Sequence, residues 1–259
     1  MEIDSENEKK HTVLVVEDDE DLKIFLRKQF EPHYKIFCAT NGKQALDILD
    51  NKKVDLIITD IVMPVINGLQ LCKEIKSNID YSHIPIVMLT AKTTLQSEID
   101  GLEAGTDAYI KKPFSMEHMF AQVSNLLLNR RKLREAFVSS PFVEMKSIAS
   151  SVADEKILTE VTKLIYENIS DTQFNVDTLA NALNMSRSSL HRKIKGISEL
   201  TPNEFILLVK LKKAAEHIAE GCRVNEVCFI VGFNSPSYFS KVFKKQFGLS
   251  PTEWYDNLK

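Results

Sequence analysis

The ten residues DLIITDIVMP, positions 55 to 64, decide the fold. Leu56, Ile57 and Ile58 form a continuous apolar run that Thr59 extends, the pattern of a strand buried on both faces. The run drives straight into a carboxylate, Asp60, and then into a loop closed by Pro64 and the turn pair Asn67-Gly68. A buried strand ending on a charged group places that group at a sheet edge, where parallel sheets bind their ligands.

The same arrangement recurs on either side. VLVV (13–16) precedes DLKIFLRKQF, KIFCA (35–39) precedes GKQALDILD, IPIVMLT (84–90) precedes TLQSEIDGLEAG, and DAYI (107–110) precedes SMEHMFAQVSNLLL. Apolar strands alternating with amphipathic helices predict a five-stranded parallel sheet of the flavodoxin-like, doubly wound kind. Parallel strands need crossover helices, and these cover both faces. Residues 1–129 make up this α/β domain. Residues 130–153 begin as a basic extension of the last helix and pass into a Ser-rich stretch with Pro141, read as a linker. From Asp154 to residue 259 every segment has helical period, which predicts an all-α domain.

The chain of 259 residues suits two domains. Its net charge of −3 divides unevenly: residues 1–129 carry 14 Lys and Arg against 21 Asp and Glu, residues 130–259 carry 19 against 15. An acidic half joined to a basic half suits a cation-binding module coupled to one that meets a polyanion. No apolar run approaches the roughly 18 residues of a membrane helix, and the opening MEIDSENEKKH is not a signal peptide, so the chain is expected in the cytoplasm without direct membrane contact. Cys38, Cys72, Cys222 and Cys228 have no C-x-x-C spacing and read as reduced core residues.

Glu17 and Asp18 end the first strand, Asp60 the third and Thr90 the fourth, while Lys112 follows the fifth. All five fall at one sheet edge. Three carboxylates gathered there need a cation, and an all-oxygen set with few protein ligands suits Mg2+. A hydroxyl and an ammonium facing the same point suit a phosphoryl group. Singly, each has a plainer reading: the run EDDED (17–21) also favours a helix N-terminus through the helix dipole, and Asp60 also suits a cap or turn.

The pieces VLVVEDD, DLIITDIVMPVING, IPIVMLTA and DAYIKKPFS resemble the receiver domain of two-component response regulators, across about residues 11–129. The resemblance implies that Asp60 accepts a phosphoryl group from the phosphohistidine of a histidine kinase. It also implies that Glu17, Asp18, Asp60 and the backbone carbonyl of Val62 hold Mg2+, that Thr90 and Lys112 contact the phosphoryl oxygens, that Tyr109 is an aromatic switch, and that Lys112-Pro113 is cis. Glu17 stands where many receivers have Asp, and Asn67 where Asp is usual.

The second half contains an internal repeat: residues 179–205 align with 227–254, pairing Leu179 with Val227, Leu190 with Phe239, Ile194 with Phe243, Pro202 with Pro251 and Phe205 with Trp254. Each copy reads as helix, tight turn, helix. VDTLANAL stops at Asn184 before SRSSLHRKIKG, and VNEVCFIV at Gly232 before SPSYFSKVFKKQFG; Asn and Gly tolerate a left-handed turn. With Leu190, Ile194, Phe239 and Phe243 inward, the outward set is Arg187, Ser188, His191, Arg192 and Lys195, then Ser237, Tyr238, Ser240, Lys241, Lys244 and Lys245. Cations among short hydrogen-bonding side chains suit a DNA major groove; the plainer reading is a solvated bundle face. The aromatic pairs Tyr238-Phe239 and Phe229-Phe233 read mostly as core.

Residues 154–259 resemble the AraC-family DNA-binding domain, most specifically in GFNSPSYFSKVFKKQFGLSPTEW. That implies two helix-turn-helix units joined by a central helix, about Pro202 to Ala219, presenting both recognition helices to double-stranded DNA. The combination is expected to be a non-enzymatic, phosphorylation-regulated transcription regulator. It would form a homodimer when phosphorylated, through the helices that follow the fourth and fifth strands. One alternative is the C-terminal output part of a membrane-anchored hybrid histidine kinase. A Mg2+-dependent aspartyl phosphatase is a second, opposed by Ile61 and Val62 standing where a second acid is needed; a receiver that only dimerises is a third.

Overall fold

The computed structural model describes residues 10–91 and 104–257. The chain divides into two compact units, residues 1–129 and 130–259. Among the described residues no helix is long and apolar enough to cross a membrane.

In the first unit five parallel strands, β1 (Thr12–Val16), β2 (Lys35–Ala39), β3 (Leu56–Asp60), β4 (Ile86–Thr90) and β5 (Ala108–Lys111), lie in the order β2-β1-β3-β4-β5. The runs that read as doubly buried are central: β1 and β4 are buried at every residue, and β3 at all but Asp60. β2 and β5, at the edges, keep exposed or half-buried positions. Helix α1 (Glu20–Phe30) packs Leu26 and Phe30 on one face with Met119, Val123 and Leu127 of the helix after β5. α2 (Gly42–Asn51) and α3 (Gly68–Ser77) cover the other with Ala45, Leu49, Leu71, Cys72 and Ile75. The helix expected within TLQSEIDGLEAG falls largely on residues 92–103, outside those described.

The acidic run serves both of its readings. Asp19 caps α1 by accepting from the Leu22 amide, and Glu20 and Asp21 occupy its first turn, where the helix dipole favours them. Glu17 and Asp18 are left at the sheet edge.

The pair Asn67-Gly68 is not a turn. Asn67 is the N-cap of α3, in a reciprocal capping box with Gln70. Gly68 opens the helix against β3, where a Cβ would lie 2.0 Å from the Asp60 carbonyl oxygen. The left-handed residue of this loop is instead Val65, at φ 69° and 78% exposed.

Helix α4 (Met116–Ser139) crosses the division between the units. Residues 130–153, expected as a linker, lie in the second unit, where Phe137 and Ile148 are core residues. A 3-10 turn (Met145–Ile148) leads to α5 (Val152–Glu167), α6 (Val176–Ala182), α7 (Arg187–Ser198), α8 (Pro202–Ala219), α9 (Val224–Ile230), α10 (Pro236–Phe247) and α11 (Pro251–Asp256). The central α8 serves two cores, giving Phe205, Leu208 and Val209 to one and Leu211, Ala214, Ala215 and Ile218 to the other. All four cysteines are free; Cys72 and Cys228 are buried, Cys38 and Cys222 half-buried.

A β-branched residue in the left-handed region costs about 1–2 kcal/mol. Val65 is too exposed to lose much packing on truncation. Val65→Gly is therefore expected to raise the melting temperature of the first unit by a few degrees, about 1 kcal/mol net of the entropy that glycine adds to the unfolded chain. Calorimetry on the whole chain checks this, and an unchanged or lower transition contradicts it.

Candidate functional site

Parallel register brings the strand ends together: Val16 pairs with Thr59, Asp60 with Leu89, and Thr90 with Lys111. Carboxylate oxygens of Glu17, Asp18 and Asp60 lie within 4.8 Å of one another. Lys112 Nζ stands among them, donating to Asp60 Oδ2 at 2.7 Å and Glu17 Oε2 at 2.9 Å. Asp60 Oδ1 accepts from the Ile61 amide at 2.6 Å, so both oxygens of the carboxylate are held. Among the described residues one ammonium stands against three carboxylates, a balance that suits a hard dication such as Mg2+.

Glu17 is 1% exposed. Burial raises its pKa, the charge of Asp60 adds to the rise, and the Lys112 hydrogen bond opposes it. Burial alone would lower the Lys112 pKa, but its bonds to Asp60 and Glu17 outweigh that and raise it. Thr90 is buried, and its carbonyl accepts from the Lys112 amide at 2.8 Å. Lys112-Pro113 is cis. The Tyr109 ring packs against the core on the α2–α3 face. Val62 lies exposed on the loop after Asp60.

In the second unit the two helix-turn-helix copies share their turn chemistry. Asn184 (φ 52°) and Gly232 (φ 76°) are both left-handed; a Cβ on Gly232 would also lie 2.4 Å from the Ile169 carbonyl oxygen. Ser186 and Ser235 cap α7 and α10. Thr201 with Glu204 and Ser250 with Glu253 form capping boxes on α8 and α11. The first copy differs in one way: α7 runs past Gly196 to Ser198 and ends on Glu199, left-handed at φ 65°, where the second has Gly248 at φ 81°.

Arg187, Ser188, His191, Arg192 and Lys195 are exposed along α7. On α10 Ser237, Tyr238, Lys241, Lys244 and Lys245 are exposed and Ser240 is half-buried. Arg187 pairs with Asp177 at 3.1 Å and Lys244 with Glu253 at 3.4 Å, all four exposed. Phe229 and Tyr238, read as mostly core, are more than half exposed; their partners Phe233 and Phe239 take the core positions.

Sequence reasoning missed the lysines that turn inward. Lys193, on α7, is fully buried and paired at 2.5 Å with the fully buried Asp154 of α5. Its signal was its spacing, three residues after Leu190 and four before Ile197, on the apolar stripe. Lys212 of α8 is also buried, and desolvation lowers its pKa to about 8.

Removing the ammonium at the sheet edge should move the buried carboxylate. Lys112→Met is expected to raise the Glu17 pKa further, since it deletes a hydrogen bond and a positive charge while burial stays. Carboxyl 13C shifts followed against pH report this, and a fall would contradict the electrostatics described.

Residues 13–124 match the family model of the response regulator receiver domain, and residues 179–257 that of a helix-turn-helix domain. Histidine kinase P4 of Formosa agariphila is 37% identical over 246 residues, which cover 95% of this chain and 18% of that protein. Response regulator MprA of Mycobacterium sp. (strain KMS) is 35% identical over 116 residues, 44% of this chain and 50% of MprA. A putative response regulator from Chloroflexus aurantiacus, solved by crystallography, superimposes with a TM-score of 0.45 at 33% identity, covering 46% of this chain and 99% of that one. The chain thus spans about half or less of the length of these two curated relatives. The chain carries a response regulator receiver domain at residues 13–124 and a helix-turn-helix domain of the AraC type at residues 179–257.

Proposed function

We propose that the chain is a phosphorylation-controlled, sequence-specific DNA-binding transcription regulator with Asp60 as phosphoacceptor. The observation that carries this is the Glu17–Asp60–Lys112 cluster in one chain with a duplicated helix-turn-helix. In the reaction, the P–N bond of a kinase phosphohistidine breaks as a carboxylate oxygen of Asp60 bonds to phosphorus. The imidazole nitrogen keeps the bonding electron pair.

Asp60 is fixed at the end of a buried strand and opens onto the loop after it, so little orientation remains to be fixed when the donor arrives. Lys112 balances negative charge on the transferring group, and Thr90 supplies a hydroxyl toward it. Glu17, Asp18, Asp60 and the Val62 carbonyl would hold Mg2+, whose chemistry here is charge neutralisation. Tyr109 would report the state of Thr90 by exchanging ring positions. Phosphorylation would shift the receiver between two states and favour a homodimer. Of the dimer face, the part expected after β4 lies largely on residues 92–103, outside those described.

On DNA, Ser188, His191, Ser237 and Tyr238, near the starts of α7 and α10, would face base edges. Arg187, Arg192, Lys195, Lys241, Lys244 and Lys245 would face phosphates, with Ser240 beside them. A second reading is favoured by the relative that spans nearly this whole chain, itself a much longer histidine kinase: the phosphodonor and this segment would then share one membrane-anchored polypeptide.

With acetyl phosphate as donor, the chain is expected to gain a phosphoryl group only with Mg2+ present, and Asp60→Asn to abolish the gain. Intact-mass spectrometry reads both, and modification of the variant would remove the assignment. For DNA, Arg192→Ala and Lys241→Ala should each lower affinity and reduce the slope of log K against log salt by about 1. An unchanged slope in both would mean that these helices do not meet phosphates.

A further inference from the structure

The stretch from Arg134 to Val143, the end of α4 and the turn after it, is bonded to the C-terminal end of both recognition helices. Arg134 donates from Nε to the Ile197 carbonyl at 2.8 Å and from Nη2 to the Gly196 carbonyl at 2.6 Å. These oxygens belong to the last turn of α7, where a helix lacks internal donors and welcomes a cation. Its Nη1 reaches Glu199 Oε1 at 2.6 Å. Glu199 is the residue held left-handed where the second copy has glycine. A strained residue persists when its surroundings hold it, and Arg134 is what holds its side chain.

Phe137, fully buried, stacks on Phe205 of α8 with centroids 6.0 Å apart. Lys212 Nζ lies 4.6 Å from the Phe137 centroid and donates to the carbonyls of Ser140 at 2.5 Å and Val143 at 3.1 Å. From the other side Gln246, in the last turn of α10, donates to the Val138 carbonyl at 2.8 Å.

We infer that residues 134–143 are a clasp that fixes the mutual orientation of α7 and α10 for reading a two-part DNA site, with Arg134 and Gln246 as its positioning residues. The inference rests on the DNA-binding function proposed above. Two binding elements held in register act as one: once the first has bound, the second meets its half at high effective concentration, and loosening the connection lowers that concentration without touching any DNA contact. Neither Arg134 nor Gln246 belongs to the outward set of groove-facing residues. The clasp acts through the helices it holds.

The test uses the whole chain and duplexes that the unaltered chain enriches from a randomised pool, each also made with one half scrambled. Arg134→Ala and Gln246→Ala are expected to weaken binding to the intact duplex about tenfold while changing affinity for the half-scrambled one by less than about twofold. Gln246→Ala removes a single hydrogen bond and should keep the thermal transition of the unaltered chain, so a folding defect in Arg134→Ala does not decide the matter. Parallel losses on both duplexes would overturn the clasp, because the residues would then serve only the integrity of their own helices. So would unchanged affinity in both variants. A pool that yields no enriched duplex would instead overturn the DNA-binding function, and the clasp with it.

Discussion

Three carboxylates converge where β1 and β3 end, and among the described residues a single ammonium, Lys112, stands between them. The rest of the first unit is arranged around that crowding. Ionised groups leave water only when paired or hydrogen-bonded, and here Lys112 spans Glu17 and Asp60 while the Ile61 amide holds the second oxygen of Asp60. The arrangement needs a rigid floor. Strands buried on both faces supply it, since a shift of β3 would move Asp60 away from Lys112.

The second unit meets a different constraint with repetition. A short helix-turn-helix has too little interior to stand alone, so two copies lean on one shared helix, α8, and each closes a core against part of it. Local chemistry sets the boundaries in both: a left-handed residue in the turn, a serine cap on the recognition helix, then a Pro-led helix with a capping box. Such caps contribute about 1 kcal/mol each. The buried Lys193–Asp154 pair is costly to break but adds little net strength. Removing one partner would cost about 3–5 kcal/mol, whereas an apolar pair in its place would be near neutral.

Much of this was legible in the sequence because the signals were local or periodic. Doubly buried strands announce themselves as unbroken apolar runs, and parallel register then requires the residues at their ends to meet, which placed Glu17, Asp18, Asp60, Thr90 and Lys112 together. The repeat likewise fixed the turns at Asn184 and Gly232. What stayed hidden depends on packing between distant segments. Arg134 sits in a basic run in which nothing distinguishes it from Arg130 or Arg131, and only the fold brings the end of α7 to it. The same holds for Phe137, whose place in the core comes from contacts with distant helices. Helical spacing sets Lys193 on the apolar stripe of α7, but nothing local to it points to Asp154, the distant carboxylate that receives its charge. Asn67-Gly68 misled because the same pair of residue types suits a tight turn and a helix start.

The close approach of Gly68 to β3 bears on how this protein tolerates genetic change. Every other amino acid carries a Cβ, and at this position that atom would lie 2.0 Å from the carbonyl oxygen of Asp60. A substitution at residue 68 therefore requires the backbone of β3 or the start of α3 to move. Any substitution there pushes on the backbone of Asp60, so a change at a residue with no functional group of its own reaches the carboxylate cluster at the sheet edge.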